Sequence, residues 1–221
     1  MSKFLQHIAA RTYKPLLVKY LSKTRVYQHN DIQLTIPPQV FHPGFFFSTQ
    51  LLLQYIDKLD LDKKEFLEMG CGSGLISIVA AKKGAVVTSS DINIIAIAEL
   101  RKNSAQNNVS IEIIASDLFA AIPIKQFDVI AINPPFYKKQ PLREKDYAWY
   151  CGEKGEYFSV FFKVLKKYVH SGTKIFMVLF EGADMKMING FAVKNNFELR
   201  LVHRKKNLLE ENFIFKIEKI L

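Results

Sequence analysis

The chain of 221 residues is 49% hydrophobic, which allows one sizeable α/β domain and excludes wholesale disorder. Lys and Arg outnumber Asp and Glu by 31 to 21, and the two cysteines exclude a disulfide framework and a cysteine-based metal site. Neither a secretory signal nor an apolar run of the ~20 residues that span a bilayer is visible, so we expect a cytoplasmic protein without membrane association.

Residues 1–35 are predicted to form a basic helical extension ahead of the main domain. Apolar side chains recur there at helical spacing, and Pro15 divides them into one or two short helices. The first thirty residues contain no acid but several cations, namely Lys3, Arg11, Lys14, Lys19, Lys23 and Arg25. Such clustered charge attracts phosphate backbones, yet it equally keeps a protein surface soluble, so both interpretations stay open.

Residues 31–47 are rich in prolines and alternating apolar side chains, and they are expected to be extended. A helix over about 51–56 should follow. Ser48 and Thr49 precede it and are candidate N-caps, because a hydroxyl there can accept from a free backbone N–H.

The domain over 36–221 is predicted to be α/β. Short apolar runs at 66–69, 85–88, 111–115, 127–132 and 174–180 are typical of buried parallel strands, and helical stretches such as 76–83 and 94–107 lie between them. The last two strands, at 197–202 and 213–217, have only a short polar connection and should be antiparallel. We therefore expect a mostly parallel seven-stranded sheet with a C-terminal antiparallel hairpin and helices on both faces.

A glycine-rich turn follows the first of these strands and reads Glu-Met-Gly-Cys-Gly-Ser-Gly over 68–74. Glycines at 70, 72 and 74 let the backbone turn sharply and approach a ligand closely. The dinucleotide-binding fingerprint would place its third glycine at position 75, where this chain has Leu75. The turn therefore predicts a nucleotide-like cofactor but disfavours a nicotinamide coenzyme.

Acidic residues follow the next two strands. Asp91 can accept hydrogen bonds from both hydroxyls of a ribose, and Asp117 can accept from an adenine amino group with Leu118 or Phe119 against the ring. Each aspartate alone is equally well a turn or helix-cap residue. Here, however, the first of three successive strand ends carries the glycines, and each of the next two carries an aspartate. This combination is much harder to explain by turns alone.

The fourth strand runs into Asn133-Pro134-Pro135-Phe136, the strongest single signal in the sequence. The side-chain oxygen of Asn133 and the carbonyl of Pro134 can accept the two hydrogens of a planar nitrogen and stabilise the positive charge that develops when it is methylated. Consecutive prolines preorganise the loop and remove donors, and Phe136 can stack on a planar acceptor group. A simple proline-rich turn at a strand end is the structural alternative.

These residues together resemble S-adenosylmethionine-dependent methyltransferases, and within the methyltransferase small-domain superfamily the HemK-type protein glutamine methyltransferases. The resemblance covers about 36–218 and rests on the glycine turn, Asp91-Ile92-Asn93, Ser116-Asp117-Leu118, the tetrapeptide and the segment 148–155. It implies a Rossmann-like class I methyltransferase fold. Phe136 replaces the usual tyrosine, and Cys151 stands where glycine is common.

The resemblance implies S-adenosylmethionine as cofactor, S-adenosylhomocysteine as product, and no metal. The implied cofactor-binding residues are Thr49, Glu68, Gly70, Cys71, Gly72, Gly74, Asp91, Ile92, Asp117, Leu118 and Asn133, and the catalytic ones are Asn133, Pro134, Pro135 and Phe136. Glu68 would act indirectly, or serve only as a strand-end residue. Thr49 would approach the methionine end of the cofactor, unless it is only a helix cap.

Three functions remain open at this point. The family's implied activity is methylation of a glutamine side-chain amide in a release factor or ribosomal protein, and glycines at 152 and 155 favour it. Segment 41–49 also resembles enzymes that methylate guanine N2 or adenine N6 in RNA, which the basic extension would suit. A noncatalytic RNA-binding module is disfavoured by the intact set of Gly70, Asp91, Asp117 and Asn133.

Overall fold

The computed structural model describes residues 19–143, 146–207 and 210–220. Its elements in chain order are β1 (Arg25–His29), β2 (Ile32–Ile36), α1 (Phe47–Ile56), β3 (Glu65–Met69), α2 (Leu75–Lys82), β4 (Val86–Asp91), α3 (Ile94–Gln106), β5 (Glu112–Ala115), β6 (Phe127–Ile132), α4 (Glu156–Leu165), β7 (Val169–Phe180), α5 (Met185–Lys194), β8 (Phe197–Lys206) and β9 (Glu211–Lys219). Within these ranges no helix has the length and apolar character needed to cross a membrane.

A seven-stranded sheet with the order β5-β4-β3-β6-β7-β9-β8 forms the centre of the protein. The first five strands of that order are parallel, while β9 runs antiparallel to both β7 and β8. This confirms the predicted sheet and its C-terminal hairpin. From β3 the chain builds outward to β5 and then returns to β6 on the other side of β3. Such a reversal opens a crevice at the carboxyl ends of the strands, where α/β proteins bind ligands.

Helices cover both faces of the sheet, as predicted. Successive residues of a buried strand point to opposite faces, so the strands contribute to two separate cores. Phe66 and Val129 pack in one core with side chains of α1, α2 and α3. Leu67 and Ile130, one residue further along their strands, pack in the other core with α4 and α5.

An antiparallel hairpin of β1 and β2 precedes the sheet and corrects part of the prediction for residues 1–35. The helical extension predicted over 1–35 includes residues 25–30, but these form β1 and a tight turn at Asn30, with φ 52°. The extended conformation expected from residue 31 onward agrees with β2. Ile32 and Leu34 are buried in the core, and the Asn103 side chain of α3 bonds both the N–H and the carbonyl of Thr35. Residues 1–18 lie outside the described residues, and the boundary at 35–36 stays a prediction.

Candidate active site

The carboxyl ends of β3, β4, β5 and β6 surround a cavity of about 530 Å³, a size typical of sites for small-molecule cofactors. Every predicted site residue except Gly74 lines it, namely Thr49, Glu68, Gly70, Cys71, Gly72, Asp91, Ile92, Asp117, Leu118, Asn133, Pro134, Pro135 and Phe136. The fold therefore gathers motifs that are far apart in the sequence around one space.

The glycine turn forms the floor of this cavity. The N–H groups of Gly70 and Cys71 both donate to the carbonyl of Ser90, at 2.8 and 3.0 Å, which ties the turn to the end of β4. Gly70 has φ +74° and no atom within 4 Å of the place where a Cβ would be, so its surface is free for a ligand. A Cβ on Gly74 would instead lie 2.1 Å from Leu100 Cδ1. Gly74 thus serves close packing against α3, which explains why it does not line the cavity.

Asp91 lies at the end of β4 with both carboxylate oxygens already held in place. Oδ2 accepts from the N–H of Gly72 at 2.8 Å, and Oδ1 accepts from the N–H of Asn93 at 2.9 Å. Each oxygen keeps a further lone pair for a ligand. Burial raises the pKa of Asp91, while these backbone hydrogen bonds oppose that effect. The carboxylate is therefore fixed, partly desolvated and ready to accept from hydroxyl groups.

The turn after β5 places Asp117 and Leu118 at the cavity wall. Leu118 is buried with φ 48°, a left-handed conformation that is rare for a leucine. The Ser116 hydroxyl supports it by donating to the Leu118 carbonyl at 2.9 Å and accepting from the N–H of Ala121 at 2.9 Å. Asp117 remains exposed beside it. The strained turn presents an apolar side chain and a carboxylate to the same part of the cavity.

Glu68 is buried beneath the glycine turn. Its carboxylate accepts from the N–H of Ser77 at 2.8 Å and from the Ser77 hydroxyl, which also contacts the hydroxyl of Ser89. These contacts fix the first turn of α2 against β3 and β4, in keeping with an indirect part in cofactor binding. Burial raises the pKa of Glu68 to about 8, although the Ser77 hydrogen bonds oppose the shift.

Between about pH 5 and about pH 8, ionisation of Glu68 should lower the free energy of unfolding of the parent protein. We expect Glu68→Gln to remove this contribution. The pKa of Glu68 rises from 4.5 to about 8 on folding, so between these values the folded state binds more protons and each rise in pH destabilises it. Glutamine has no proton to lose there. The free energy of unfolding of the variant relative to the parent should increase by a few kcal/mol across this range, measured by urea denaturation at several pH values. Parallel pH profiles would contradict the expectation.

Asn133 directly follows β6 and contacts two residues that lie 85 and 84 positions earlier in the sequence. Its Nδ2 donates to Ser48 Oγ at 3.3 Å and to Thr49 Oγ1 at 3.1 Å. The predicted capping role of Ser48 or Thr49 is therefore wrong: α1 begins at Phe47, and no side chain caps its N-terminus. Asn133 Oδ1 accepts nothing from the described residues, so it is available to a ligand in the cavity.

The rest of the tetrapeptide is held by aromatic packing. Pro134 and Pro135 are buried, and the Phe136 ring lies 4.2 Å from the ring of Phe180 and 4.8 Å from that of Tyr137, measured between centroids. Phe136 therefore belongs to an aromatic wall of the cavity. The segment 148–155 runs beside this wall, with Cys151 N–H donating to the Tyr137 carbonyl at 2.9 Å.

Aromatic residues of the segments 41–49 and 148–155, both parts of the family resemblance, also line the cavity. Phe41 and Phe46 stack at 3.9 Å, and Trp149 packs against both, which closes one side of the cavity. Glu156, Tyr157, Phe180, Glu210 and Asn212 also line it. Glu156 and Tyr157 lie in α4, Phe180 ends β7, and Glu210 and Asn212 lie just before and in β9. No local motif marks these five residues, so the sequence did not identify them.

The charge of the cavity is opposite to that of the whole protein. The formal net charge of the chain is +10, yet the lining carries carboxylates and, among the described residues, no Lys, Arg or His. The charged carboxylates are Asp91, Asp117, Glu156 and Glu210, whereas burial keeps Glu68 protonated below about pH 8. Negative charge in a confined space favours cationic ligands and disfavours phosphate groups.

S-adenosylmethionine, which the resemblance implies, fits this donor set. It is cationic at its sulfonium and carries ribose hydroxyls, and the cavity offers an acidic lining, the free lone pairs of Asp91 and open space above Gly70. Ser90 also lines this space, and its buried hydroxyl has no hydrogen-bond partner among the described residues. Within the described ranges, no three His, Cys, Asp or Glu side chains are placed to hold a metal ion.

Comparison with known proteins identifies a family. The sequence profile described as the methyltransferase small domain matches residues 31–151, more than half of the chain. A protein of Methanocaldococcus jannaschii, named for protein N5-glutamine methylation, is 42% identical over 106 residues, 48% of this chain and 51% of the relative. The ribosomal RNA small subunit methyltransferase C of Haemophilus influenzae is 39% identical over 119 residues, 51% of this chain and 35% of the relative. The matches thus span about half of the first relative and about a third of the second.

Solved structures support the fold. The structure of the E. cuniculi Mtq2–Trm112 complex, responsible for methylation of the termination factor eRF1, matches with a TM-score of 0.64 and 22% identity. The match covers 82% of this chain and 99% of that chain. At this level of identity the likeness concerns the fold alone.

Proposed function

The chain belongs to the methyltransferase small-domain family, and from that premise we propose that it is an S-adenosylmethionine-dependent N-methyltransferase whose acceptor is a glutamine side-chain amide. A translation protein, either a release factor or a ribosomal protein, is the proposed substrate. The observation that carries the proposal is the fixed Asn133 amide, whose oxygen is available in an acidic cavity that contains no cation among its described lining residues.

When bound, S-adenosylmethionine supplies an electrophilic methyl group. Asp91 would accept from the ribose hydroxyls, and Asp117 with Leu118 would hold the adenine. Thr49 already bonds Asn133, so it would link the cofactor half of the cavity to the acceptor half. Burial raises the pKa of the Cys71 thiol well above its usual value, which removes it as a nucleophile.

The acceptor half of the cavity would activate a planar amide nitrogen. Asn133 Oδ1 and the Pro134 carbonyl would accept its two hydrogens, which stabilises the positive charge that grows on the nitrogen during transfer. Asn133 Nδ2 donates to the hydroxyls of Ser48 and Thr49, which leaves its oxygen available to the acceptor nitrogen. The methyl group leaves the sulfonium, which would become the neutral thioether of S-adenosylhomocysteine, and the positive nitrogen then loses one proton to water. Because the proton leaves after transfer, the step needs no general base.

The acidic lining favours glutamine over a nucleotide. A glutamine side chain enters as a neutral amide on a flexible chain, whereas a nucleotide carries a phosphate, which the Glu156 and Glu210 carboxylates of the lining would repel. The similarity to the M. jannaschii protein, which is named for glutamine methylation, supports the same choice.

An RNA base is the second candidate. The observation that favours it is the exposed cationic end of β8, Arg204, Lys205 and Lys206, next to the strand that carries Asn212. The similarity to small subunit rRNA methyltransferases also supports it. Phosphates would then have to bind outside the cavity, since the described lining offers them no cation.

Radiolabelled S-adenosylmethionine distinguishes these functions. The protein would be incubated with release factors, ribosomal proteins and ribosomal and transfer RNA from cells, and the label followed after treatment with ribonuclease or protease. We expect label in a protein fraction, resistant to ribonuclease, and a methylglutamine in the peptide identified by mass spectrometry.

Asn133→Ala supplies the control for this experiment. It should remove the label from whichever fraction carries it, which shows that transfer occurs in this cavity. Label confined to RNA would contradict the glutamine proposal but leave methyl transfer intact. Cofactor binding without any label in any fraction would instead favour the noncatalytic RNA-binding module.

A further inference from the structure

Two tyrosines stand at the mouth of the cavity, where they are open to solvent. Tyr137 is 45% exposed and Tyr147 is 41% exposed, yet both also line the cavity. Neither hydroxyl has a hydrogen-bond partner among the described residues. An aromatic ring in water gains none of the free energy that its burial would provide. The pair therefore offers apolar surface and free hydroxyl groups to a molecule that enters the cavity.

The backbone around both tyrosines is held by hydrogen bonds. Tyr137 N–H donates to the Trp149 carbonyl at 3.0 Å. The N–H groups of Trp149 and Tyr150 donate to the Asp146 carbonyl at 3.0 and 2.9 Å. These bonds close the turn that carries Tyr147, and this turn leads directly into the residue that Tyr137 bonds. The two tyrosines therefore lie near each other on well-anchored backbone, which is the property of a preformed docking surface.

Tyr137 belongs to the acceptor half of the cavity. Its ring lies 4.8 Å from the ring of Phe136 and 5.5 Å from that of Phe180, measured between centroids, so it extends the aromatic wall outward. Burial and the nearby Glu210 carboxylate raise the pKa of its phenol. Phe180 ends β7, which lies on the side of β6 away from the strands that carry the glycine turn and Asp91. A molecule that contacts Tyr137 is therefore the acceptor rather than the cofactor.

The charges around this surface favour a protein over a nucleic acid. Two of the three described cations that follow the tetrapeptide are engaged within the protein: Lys138 pairs with Asp184 at 2.7 Å, and the Lys139 ammonium lies 5.0 Å from the centre of the Tyr150 ring. Glu210 would repel a phosphate. Nucleic acids are held mainly by cations on their phosphates, whereas exposed tyrosines are enriched in contacts between proteins.

We propose that Tyr137 and Tyr147 form the docking surface for the protein substrate and pack against its chain next to the glutamine that reaches Asn133. This inference rests on the proposed function and adds two specificity residues to it. The rings would bury apolar surface of the substrate, and the free hydroxyls would bond its peptide groups. The segment beside the glutamine would lack acidic side chains, since Glu210 repels them.

Tyr147→Ala tests this inference with little disturbance of the fold, because the Tyr147 side chain makes no ring contact or hydrogen bond among the described residues. The substrate is the release factor or ribosomal protein that the parent labels. Its Michaelis constant should rise about tenfold or more, with kcat within about threefold of the parent. Tyr137→Phe keeps the ring packing and loses only the hydroxyl, so the rise should be about threefold. Affinity for S-adenosylmethionine should not change in either variant.

Tyr20→Ala is the matched control, since Tyr20 is 41% exposed like Tyr147 but does not line the cavity. It should keep the parental Michaelis constant, and a rise equal to that of Tyr147→Ala would overturn the inference. A parental value in Tyr147→Ala would overturn it as well. Weaker cofactor binding would place the tyrosines over the cofactor, and a loss confined to kcat would place them at the reacting amide; both outcomes also overturn it.

Salt dependence provides an independent measurement. Between about 50 and about 200 mM salt, the Michaelis constant of the parent should change by less than about threefold, because the docking contacts are uncharged. Several phosphate contacts would instead weaken binding about 10³-fold or more over this range. A dependence of that steepness would assign docking to cations and overturn the inference.

Failure of the proposed function gives a different result. In that case the parent labels RNA and no protein, and the Michaelis constant is measured with the labelled RNA. A raised value in Tyr147→Ala would show that the ring stacks on a base, and an unchanged value that it contacts neither substrate; each result overturns the peptide assignment. If the parent labels a protein and Tyr147→Ala keeps the parental Michaelis constant, only the docking inference fails.

Discussion

Replacing Asn133 with alanine is expected to lower the rate of methyl transfer about 10²- to 10³-fold. The side-chain oxygen of Asn133 is one of two acceptors proposed for the hydrogens of the acceptor nitrogen, and the substitution removes it. Because Nδ2 only contacts Ser48 and Thr49, its removal leaves the glycine turn and Asp91 untouched. Affinity for S-adenosylmethionine, measured by titration calorimetry, should therefore stay nearly unchanged.

A surface asparagine provides the control for this substitution. Asn195 follows α5, and its side chain donates to the Phe191 carbonyl at 2.8 Å, away from the cavity lining. Asn195→Ala should leave transfer unchanged. If Asn133→Ala transfers methyl groups at the parental rate, Asn133 is not part of the mechanism and the tetrapeptide is only a strand-end turn.

Asp91→Ala is expected to weaken S-adenosylmethionine binding about 10²-fold or more. Two hydrogen bonds from ribose hydroxyls to a partly desolvated carboxylate would be lost, and the N–H groups of Gly72 and Asn93 would lose their acceptors. Calorimetric titration with S-adenosylmethionine and with S-adenosylhomocysteine measures the effect. Both ligands should weaken to a similar extent, because they share the ribose.

Asp117→Ala is the comparison variant, for which a smaller loss of S-adenosylmethionine affinity is expected. Asp117 is exposed and makes no internal side-chain hydrogen bond among those described, so water screens its contribution and the loss should be smaller. Parental affinity in Asp91→Ala would mean that Asp91 does not bind the ribose hydroxyls. Loss of folded structure in Asp91→Ala, seen by circular dichroism, would require the same measurement on Asp91→Asn, which keeps one acceptor oxygen.

The N-terminal region shows where prediction from local sequence patterns fails. The basic charge of residues 1–35 is plain from the sequence, but β1 was missed there because the Asn30–Asp31 turn resembles any polar break. Residues far away in the sequence stabilise this strand. The side chains of Asn103 in α3 and Asn107 just after it bond the backbone of β2, and β2 pairs with β1. Tertiary contacts of this kind override local preference.

The sequence by itself determined the sheet, the glycine turn, the acids at two strand ends and the Asn133-Pro134-Pro135-Phe136 acceptor loop. Each of these features depends on short contiguous segments, whose hydrophobic periodicity or glycine and proline content determines the local backbone conformation. Only the tertiary structure decided that Ser48 and Thr49 contact Asn133 instead of capping α1, that the described lining is acidic in a basic protein, and that Tyr137 and Tyr147 stand exposed at its mouth. These features depend on side chains that the sheet order brings together from distant parts of the chain. Contacts between such distant residues cannot be predicted from local sequence spacing.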